Sequence, residues 1–315
     1  MNNLHVASAS SLITTAAARR NGFLEYALRR NKEAIPFIDK GKALKATLEA
    51  HSSKPQDILN IVKIRESLIE AAGISVKAKA HLSDEDKDRL LTDFIDRILI
   101  PAGIDYIDEI IYRYLLTSGD ALGGKMRNIV GSIANEKFNR FVISQLQICD
   151  ISFSFATKDG SFVDGETYKI DLAEAIKAIR WQTNTGEQRL LIYNINVPQV
   201  SKNIDIVLLN KFTESTKGEK LKLVLSNRDN YLSIGELKGG IDPAGADEHW
   251  KTANTALSRV RKVFNELPLM FIGAAIESAM SIEIFAQYQS GDLANCANLT
   301  SDEQLASLCE WLVGI

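Results

Sequence analysis

The sequence predicts an α/β (α+β) fold, with a central mixed sheet flanked by helices and a helical N-terminal region. Three observations predict it. Apolar residues before about position 150 recur at helical spacing. After it, short runs of aliphatic and β-branched residues alternate with helical segments. The chain is also ordinary for a folded protein: 315 residues, 45% hydrophobic and 24% charged, enough for one large or two smaller cores.

Taken in order, Thr14 to Arg30 is rich in Ala, Leu and Arg and predicts a helix. Pro55 to Ala72 sets Ile58, Ile61, Val62, Ile64, Leu68 and Ile69 near one face of a second. Ser83, with Asp86 three residues on, has the form of a capping box before Leu90, Leu91, Phe94, Ile95 and Ile98. Met126 to Leu146 predicts another long helix. Strands are expected at Leu190–Val197, Ile204–Leu209, Leu221–Leu225, Tyr231–Lys238 and Leu269–Ile276. Helices are expected at Leu172–Trp181, Glu248–Phe264 and Ser301–Leu312. The expected division is a mainly helical region over 1–150 and an α/β region over 151–315.

No run of 18 apolar residues occurs, so no membrane span is expected. Met1 to Thr15 lacks the basic start and apolar stretch of a secretory signal, which points to the cytoplasm. Cys149, Cys296 and Cys309 stand far apart and read as reduced core thiols rather than a zinc site. The net charge of −3 is unlike that of a compact basic DNA-binding module, but a large enzyme can balance one basic groove with acidic faces elsewhere.

The chemistry concentrates in Ile234-Gly235-Glu236-Leu237-Lys238-Gly239-Gly240. Residues i and i+2 of a strand share a face, so Glu236 and Lys238 project together from an apolar strand. Gly239 and Gly240 then break the strand. The strand at Ile204–Leu209 carries one acid, Asp205, at its start, and pairing the two strands brings it beside Glu236. Two carboxylates and an amine at strand ends suit Mg²⁺, which takes oxygen ligands and keeps water and phosphate oxygens. A strand-edge ion pair is the rival reading of Glu236 and Lys238, and a turn acid that of Asp205. Downstream, Asp247 reads as the N-cap of a helix with His249 in its first turn, one of only four histidines. Imidazole exchanges protons near neutrality, so His249 is a candidate general base, against the alternative of a packing histidine.

The Glu236-x-Lys238 element with Asp205 upstream resembles the PD-(D/E)xK nucleases, although Ile204 stands where that pattern has proline. The whole stretch from Glu236 to Trp250, ELKGGIDPAGADEHW, is similar to the catalytic segment of the AvaI/BsoBI family of type II restriction endonucleases. A second matching block runs from Tyr114 to Asn128. The resemblance implies a restriction-endonuclease-like fold and a homodimer around double-stranded DNA, with the 1–150 region embracing DNA and dimerising. It implies Mg²⁺-dependent cutting of both strands at CYCGRG, after its first base, with a 5′ overhang, and a companion DNA methyltransferase that protects the host. It implies Asp205 and Glu236 as metal ligands, Lys238 as the catalytic lysine and His249 as the base. It further implies Asp242 and Lys202 as base-reading residues, and a carboxylate and a lysine can indeed address cytosine N4 and guanine O6/N7. An Asp-Pro turn at Asp242 and a solvated Lys202 are the alternatives. A non-catalytic DNA-binding protein of the same fold is the rival function.

Gly119 to Lys125 also fits G-x-x-x-x-G-K, the phosphate-loop pattern, but Met126 stands where that loop needs serine or threonine. A nucleotide-binding reading is therefore weak. In a nuclease, Lys125 and Arg127 with the backbone amides of this block are candidates for holding DNA phosphates, the alternative being a tight turn before the Met126 helix.

Overall fold

The computed structural model describes residues 3–315. By internal packing they form two units: residues up to Phe23 with Ile129–Ile315, and Leu24–Asn128. Two long helices, α1 (Ala16–His51) and α6 (Tyr106–Ile148), carry the chain between them.

The Leu24–Asn128 unit is helical. Between α1 and α6 come α2 (Arg65–Ala71), α3 (Val76–Lys79), α4 (Asp84–Phe94) and α5 (Ile100–Ala102), joined by 3₁₀ and π turns. Its core is Leu44, Leu48, Ile58, Leu68, Ile69, Leu91, Leu99, Ile110 and Tyr114. Ile58, Ile61, Ile64, Leu68 and Ile69 of the expected apolar face are buried, but Val62 is 80% exposed, because the segment is two 3₁₀ turns followed by α2 rather than one helix. The capping box is present: Ser83 Oγ accepts from Asp86 N, and the Asp86 carboxylate accepts from Ser83 N.

The other unit is built on one eight-stranded mixed sheet of order β2-β1-β3-β4-β5-β6-β7-β8. The strands are β1 (Phe153–Ala156), β2 (Phe162–Asp164), β3 (Ala178–Gln182), β4 (Gln188–Val197), β5 (Lys202–Leu209), β6 (Tyr231–Lys238), β7 (Leu269–Gly273) and β8 (Asn295–Asn298). Pairing is antiparallel from β2 to β6 and parallel from β6 to β8. The remaining helices are α7 (Glu219–Ser226), α8 (Pro243–Val263), α9 (Ser278–Ser290) and α10 (Asp302–Val313). One core packs Trp250, Ala253 and Leu257 of α8 and Ile284 of α9 on Val207, Ile234 and Phe271. A second packs Phe138, Val142 and Leu146 of α6 and Leu305, Leu308 and Leu312 of α10 on Ile179, Leu191, Ile206 and Met270. A sheet covered on both faces explains the near-continuous apolar runs of its middle strands.

Leu221–Leu225 is a helix, not a strand: Leu221 and Leu225 are buried one helical turn apart, while Leu223 is 69% exposed. Leu172–Trp181 is not a helix. A 3₁₀ stretch, Ile170–Ala175, leads into β3, whose Ala178, Ile179 and Trp181 are buried because both faces are covered. Of the three free thiols, Cys296 and Cys309 are buried as expected, but Cys149 is exposed at the end of α6. Among the described residues no helix is long and apolar enough to cross a membrane.

Candidate active site

β5 and β6 set the site. Their antiparallel ladder pairs Ile206 with Gly235 and Val207 with Ile234, and one step further along it Asp205 comes level with Glu236. On its other side the β4–β5 ladder passes from Tyr193↔Ile206 to Ile195↔Ile204, stepping over Asn194 and Asp205. Asn194 takes a left-handed φ of 52° there, a conformation that Asn tolerates better than most residues. Gly235 has a spatial reason: a Cβ would lie 2.5 Å from Met270 Cγ on β7.

The three charged groups meet on one ammonium. Lys238 Nζ donates to Asp205 Oδ2 at 2.7 Å and to Glu236 Oε2 at 2.6 Å, and Leu237 N donates to Asp205 Oδ2 at 3.0 Å. Glu236 is the buried member, its side chain 4% exposed against 22% for Asp205 and 20% for Lys238. Burial, then the charge of Asp205, pushes the Glu236 carboxyl up to about 7, against the opposing pull of Lys238. Burial pulls the Lys238 pKa down, but the charges and hydrogen bonds of Asp205 and Glu236 outweigh it and leave it above the ordinary lysine value. Glu236 Oε1 is buried with no hydrogen-bond partner. An orphaned buried carboxylate oxygen is costly unless something else completes it.

That orphan oxygen fits a hard cation. Among the described residues no cluster of three or more His, Cys, Asp or Glu could hold a metal, so the donor set here is two carboxylates. One or two carboxylates, with water and phosphate supplying the rest, is how Mg²⁺ is commonly held.

Past β6 the chain bends through Gly239 and Gly240 into α8. A Cβ on Gly239 would lie 2.7 Å from Val130 O and 2.6 Å from Ala134 Cβ on α6, so this glycine allows the helix to close on the loop. α8 starts earlier than expected, which corrects the capping assignment. Asp242, not Asp247, is the N-cap; its Oδ1 accepts from Ala244 N at 2.9 Å, with Pro243 in the first turn. Asp247 instead pairs with Lys251 one turn on. His249 is exposed on the second turn of α8, its ring against Gly240 and Gly245. Trp250 beside it is buried, stacks edge-on to Phe271 at 4.9 Å and donates to Glu283 Oε2 at 2.7 Å, which fixes this stretch of helix on the sheet.

Lys202 opens β5, half-buried and paired in the ladder with Val197. Lys125 and Arg127 belong to the helical unit. Gly119–Arg127 is not a loop: α6 runs through it without a break, its amides belong to a helix interior, and no phosphate cradle forms, which removes the nucleotide-binding reading. Lys125 Nζ lies 2.6 Å from Glu33 Oε2 of α1. Sequence reading missed Asn194, although an asparagine inside the apolar run of β4 was a signal for it.

The model of the family described as restriction endonuclease BsobI matches residues 2–315. The chain belongs to that family of restriction endonucleases. It is 46% identical to the type II restriction enzyme BsoBI of Geobacillus stearothermophilus, over 99% of this chain and 97% of that one. It is 42% identical to the type II restriction enzyme AvaI of Nostoc sp. (strain PCC 7120), and equally to AvaI of Anabaena variabilis, over 98% of both chains.

Proposed function

We propose that this chain, as a homodimer, cuts both strands of duplex DNA at CYCGRG with 5′ overhangs, using Mg²⁺ held by Asp205 and Glu236, as the nuclease of a restriction–modification system with a separate methyltransferase. Site-specific cleavage of DNA follows from the family. The observation that carries the finer reading is the lysine bridging a half-exposed and a buried carboxylate, with one buried oxygen left over. The ion supplies Lewis-acid charge at the scissile phosphate when bound. Lys238, held charged by its two carboxylates, stabilises the negative charge that grows on the phosphorane-like transition state. His249 accepts a proton from the attacking water as its oxygen bonds to phosphorus; the P–O3′ bond breaks and the leaving oxygen takes a proton from solvent water, so that the products carry 5′-phosphate and 3′-hydroxyl ends. Lys202 and Asp242 read base edges near the scissile phosphate, Asp242 with the oxygen its cap leaves over. Lys125 and Arg127 contact phosphates through their side chains, and residues 1–150 embrace the duplex and dimerise while 151–315 carry the chemistry.

The test is digestion of DNA of known sequence with Mg²⁺ and with EDTA, followed by mapping of fragment ends. Discrete Mg²⁺-dependent fragments ending at CYCGRG are expected. Discrete ends at another sequence overturn the site. Tight DNA binding without cleavage by any divalent metal overturns the reaction and favours the binding-only reading.

A further inference from the structure

The seat of His249 is formed by two glycines that the backbone does not require. Neither Gly240 nor Gly245 is among the glycines with positive φ, so neither is needed for a left-handed turn. What their missing side chains provide is space. A Cβ on Gly240 would stand 3.1 Å from His249 Nε2 and 3.4 Å from Cδ2. A Cβ on Gly245, one turn before His249, would stand 3.4 Å from Nε2 and 3.6 Å from Cδ2, which is ordinary contact. Gly240 is two residues beyond Lys238, so the ring packs on the first stretch of chain to leave the lysine's strand. The contact falls on Nε2, the far nitrogen of the ring, rather than on its stem.

We propose that Gly240 is a positioning residue for His249: its missing side chain leaves room for the imidazole beside the loop that leaves β6 and thereby fixes where Nε2 stands. The inference rests on the reading of His249 as proton acceptor. An added methyl at position 240 presses on the ring and shifts it by a few tenths of an ångström. Because His249 is exposed, the ring can swing outward into solvent without disturbing the core. The fold tolerates the change, and the orientation of the base does not. Gly245 makes the looser of the two contacts and sets the ring less tightly.

The experiment is a double-mutant cycle on the full chain: parent, Gly240→Ala, His249→Ala and the double variant. Each is measured for single-turnover cleavage with Mg²⁺, DNA binding in EDTA and melting temperature. Gly240→Ala is expected to slow cleavage by about severalfold, since misplacing a reacting group by about an ångström costs up to about 10²-fold and the added methyl displaces the ring by less than that. Its DNA binding and melting temperature stay at the parent's values, and it slows His249→Ala no further. If Gly240→Ala slows His249→Ala by the same factor as it slows the parent, or weakens DNA binding as much as it slows cleavage, the positioning role is wrong. If His249→Ala itself cuts at the parent rate, the proton-acceptor reading fails first and takes this inference with it. Should Gly240→Ala melt below the assay temperature, Gly245→Leu, whose longer side chain reaches past the ordinary contact of a Cβ into the space of the ring, carries the cycle. Its slowing is expected to be only about severalfold and to vanish in the His249→Ala background; slowing that persists there overturns the proposal.

Discussion

Leu237-Lys238-Gly239-Gly240 and Leu122-Gly123-Gly124-Lys125 use the same four residues, and the structure gives them opposite physics. At the first, each glycine has a neighbour where its Cβ would be: Val130 and Ala134 for Gly239, His249 for Gly240. At the second, nothing lies within 4 Å of that position on Gly123, and only Arg127 Nη2, at 3.9 Å, near Gly124. Both lysines pair with a glutamate at 2.6 Å. Yet the hydrogen bond from Lys125 holds Glu33 below its usual range, while burial drives Glu236 above its own. The difference teaches that an ion pair's chemistry is set by what surrounds it. A half-exposed Lys–Glu pair simply stabilises two charges. A buried one with an extra carboxylate and an unpartnered oxygen leaves coordination unfinished, and that is where a metal and a phosphate can enter.

The sharpest way to break this comparison is to remove each lysine. Lys238→Ala is expected to slow cleavage by about 10³-fold, the scale of losing a preorganised transition-state donor, with DNA still bound. Lys125→Ala is expected to change cleavage by less than about tenfold, as befits one half-exposed ion pair or phosphate contact. Single-turnover rates on a plasmid with one site decide it, and equal losses would erase the distinction.

The next test is pH. The folded Glu236 carboxyl titrates at about 7 against an ordinary 4.5, so between those values the native protein holds a proton that the unfolded chain releases. This contribution is fully present below about pH 4.5 and is lost as pH rises through about 7, on the order of 3 kcal/mol in all. In EDTA, urea midpoints of the parent should therefore fall more from pH 5 to pH 8 than those of Glu236→Gln. Parallel pH profiles would contradict the burial argument. The same titration makes Mg²⁺ binding release a proton, so affinity measured by calorimetry should rise with pH through neutrality.

The glycines give a smaller effect of opposite sign. Gly239→Ala drives a methyl into Val130 O and Ala134, and should lower stability by about 1–3 kcal/mol. Gly123→Ala adds a methyl to open space within a helix and should raise it by up to about 1 kcal/mol. Melting temperatures moving in opposite directions are the check. Smallest is Asp242→Ala, which removes a helix cap and should cost about 1 kcal/mol. If Asp242 also reads a base, this variant cuts off-site sequences at a rate closer to that of CYCGRG; unchanged discrimination leaves it a cap alone.

Much of the fold was legible because burial writes a period into the sequence. Strands β4 to β7 lie in the covered middle of the sheet and appear as apolar runs close to their true bounds. The Ser83 cap was legible because it is local chemistry. Lys220 to Leu225 misled because its alternation of polar and apolar residues has a strand's period, while Leu221, Val224 and Leu225, spaced as on one helical face, meet a core and Leu223 does not. Gly119–Lys125 misled because three glycines look like a loop, whereas α6 is one helix that carries them at a propensity cost. At the site, Glu236 with Lys238 was legible from the apolar strand around them, and Asp205 from being the one acid in the apolar run of β5. The unpartnered Oε1 of Glu236 has no local signature, and Asn194 shows only as a polar residue in an apolar run; its left-handed turn level with Asp205, like the orphan oxygen, arises when β4, β5 and β6 come together.

The central claim is that the cluster of Asp205, Glu236 and Lys238 performs the cleavage. Glu236→Gln keeps the shape of the side chain and removes its charge, so it tests that claim most directly. Under single-turnover conditions with Mg²⁺, the account predicts a variant that folds, binds duplex DNA as tightly as the parent and leaves it uncut. Cleavage by Glu236→Gln at the parent's rate would contradict it.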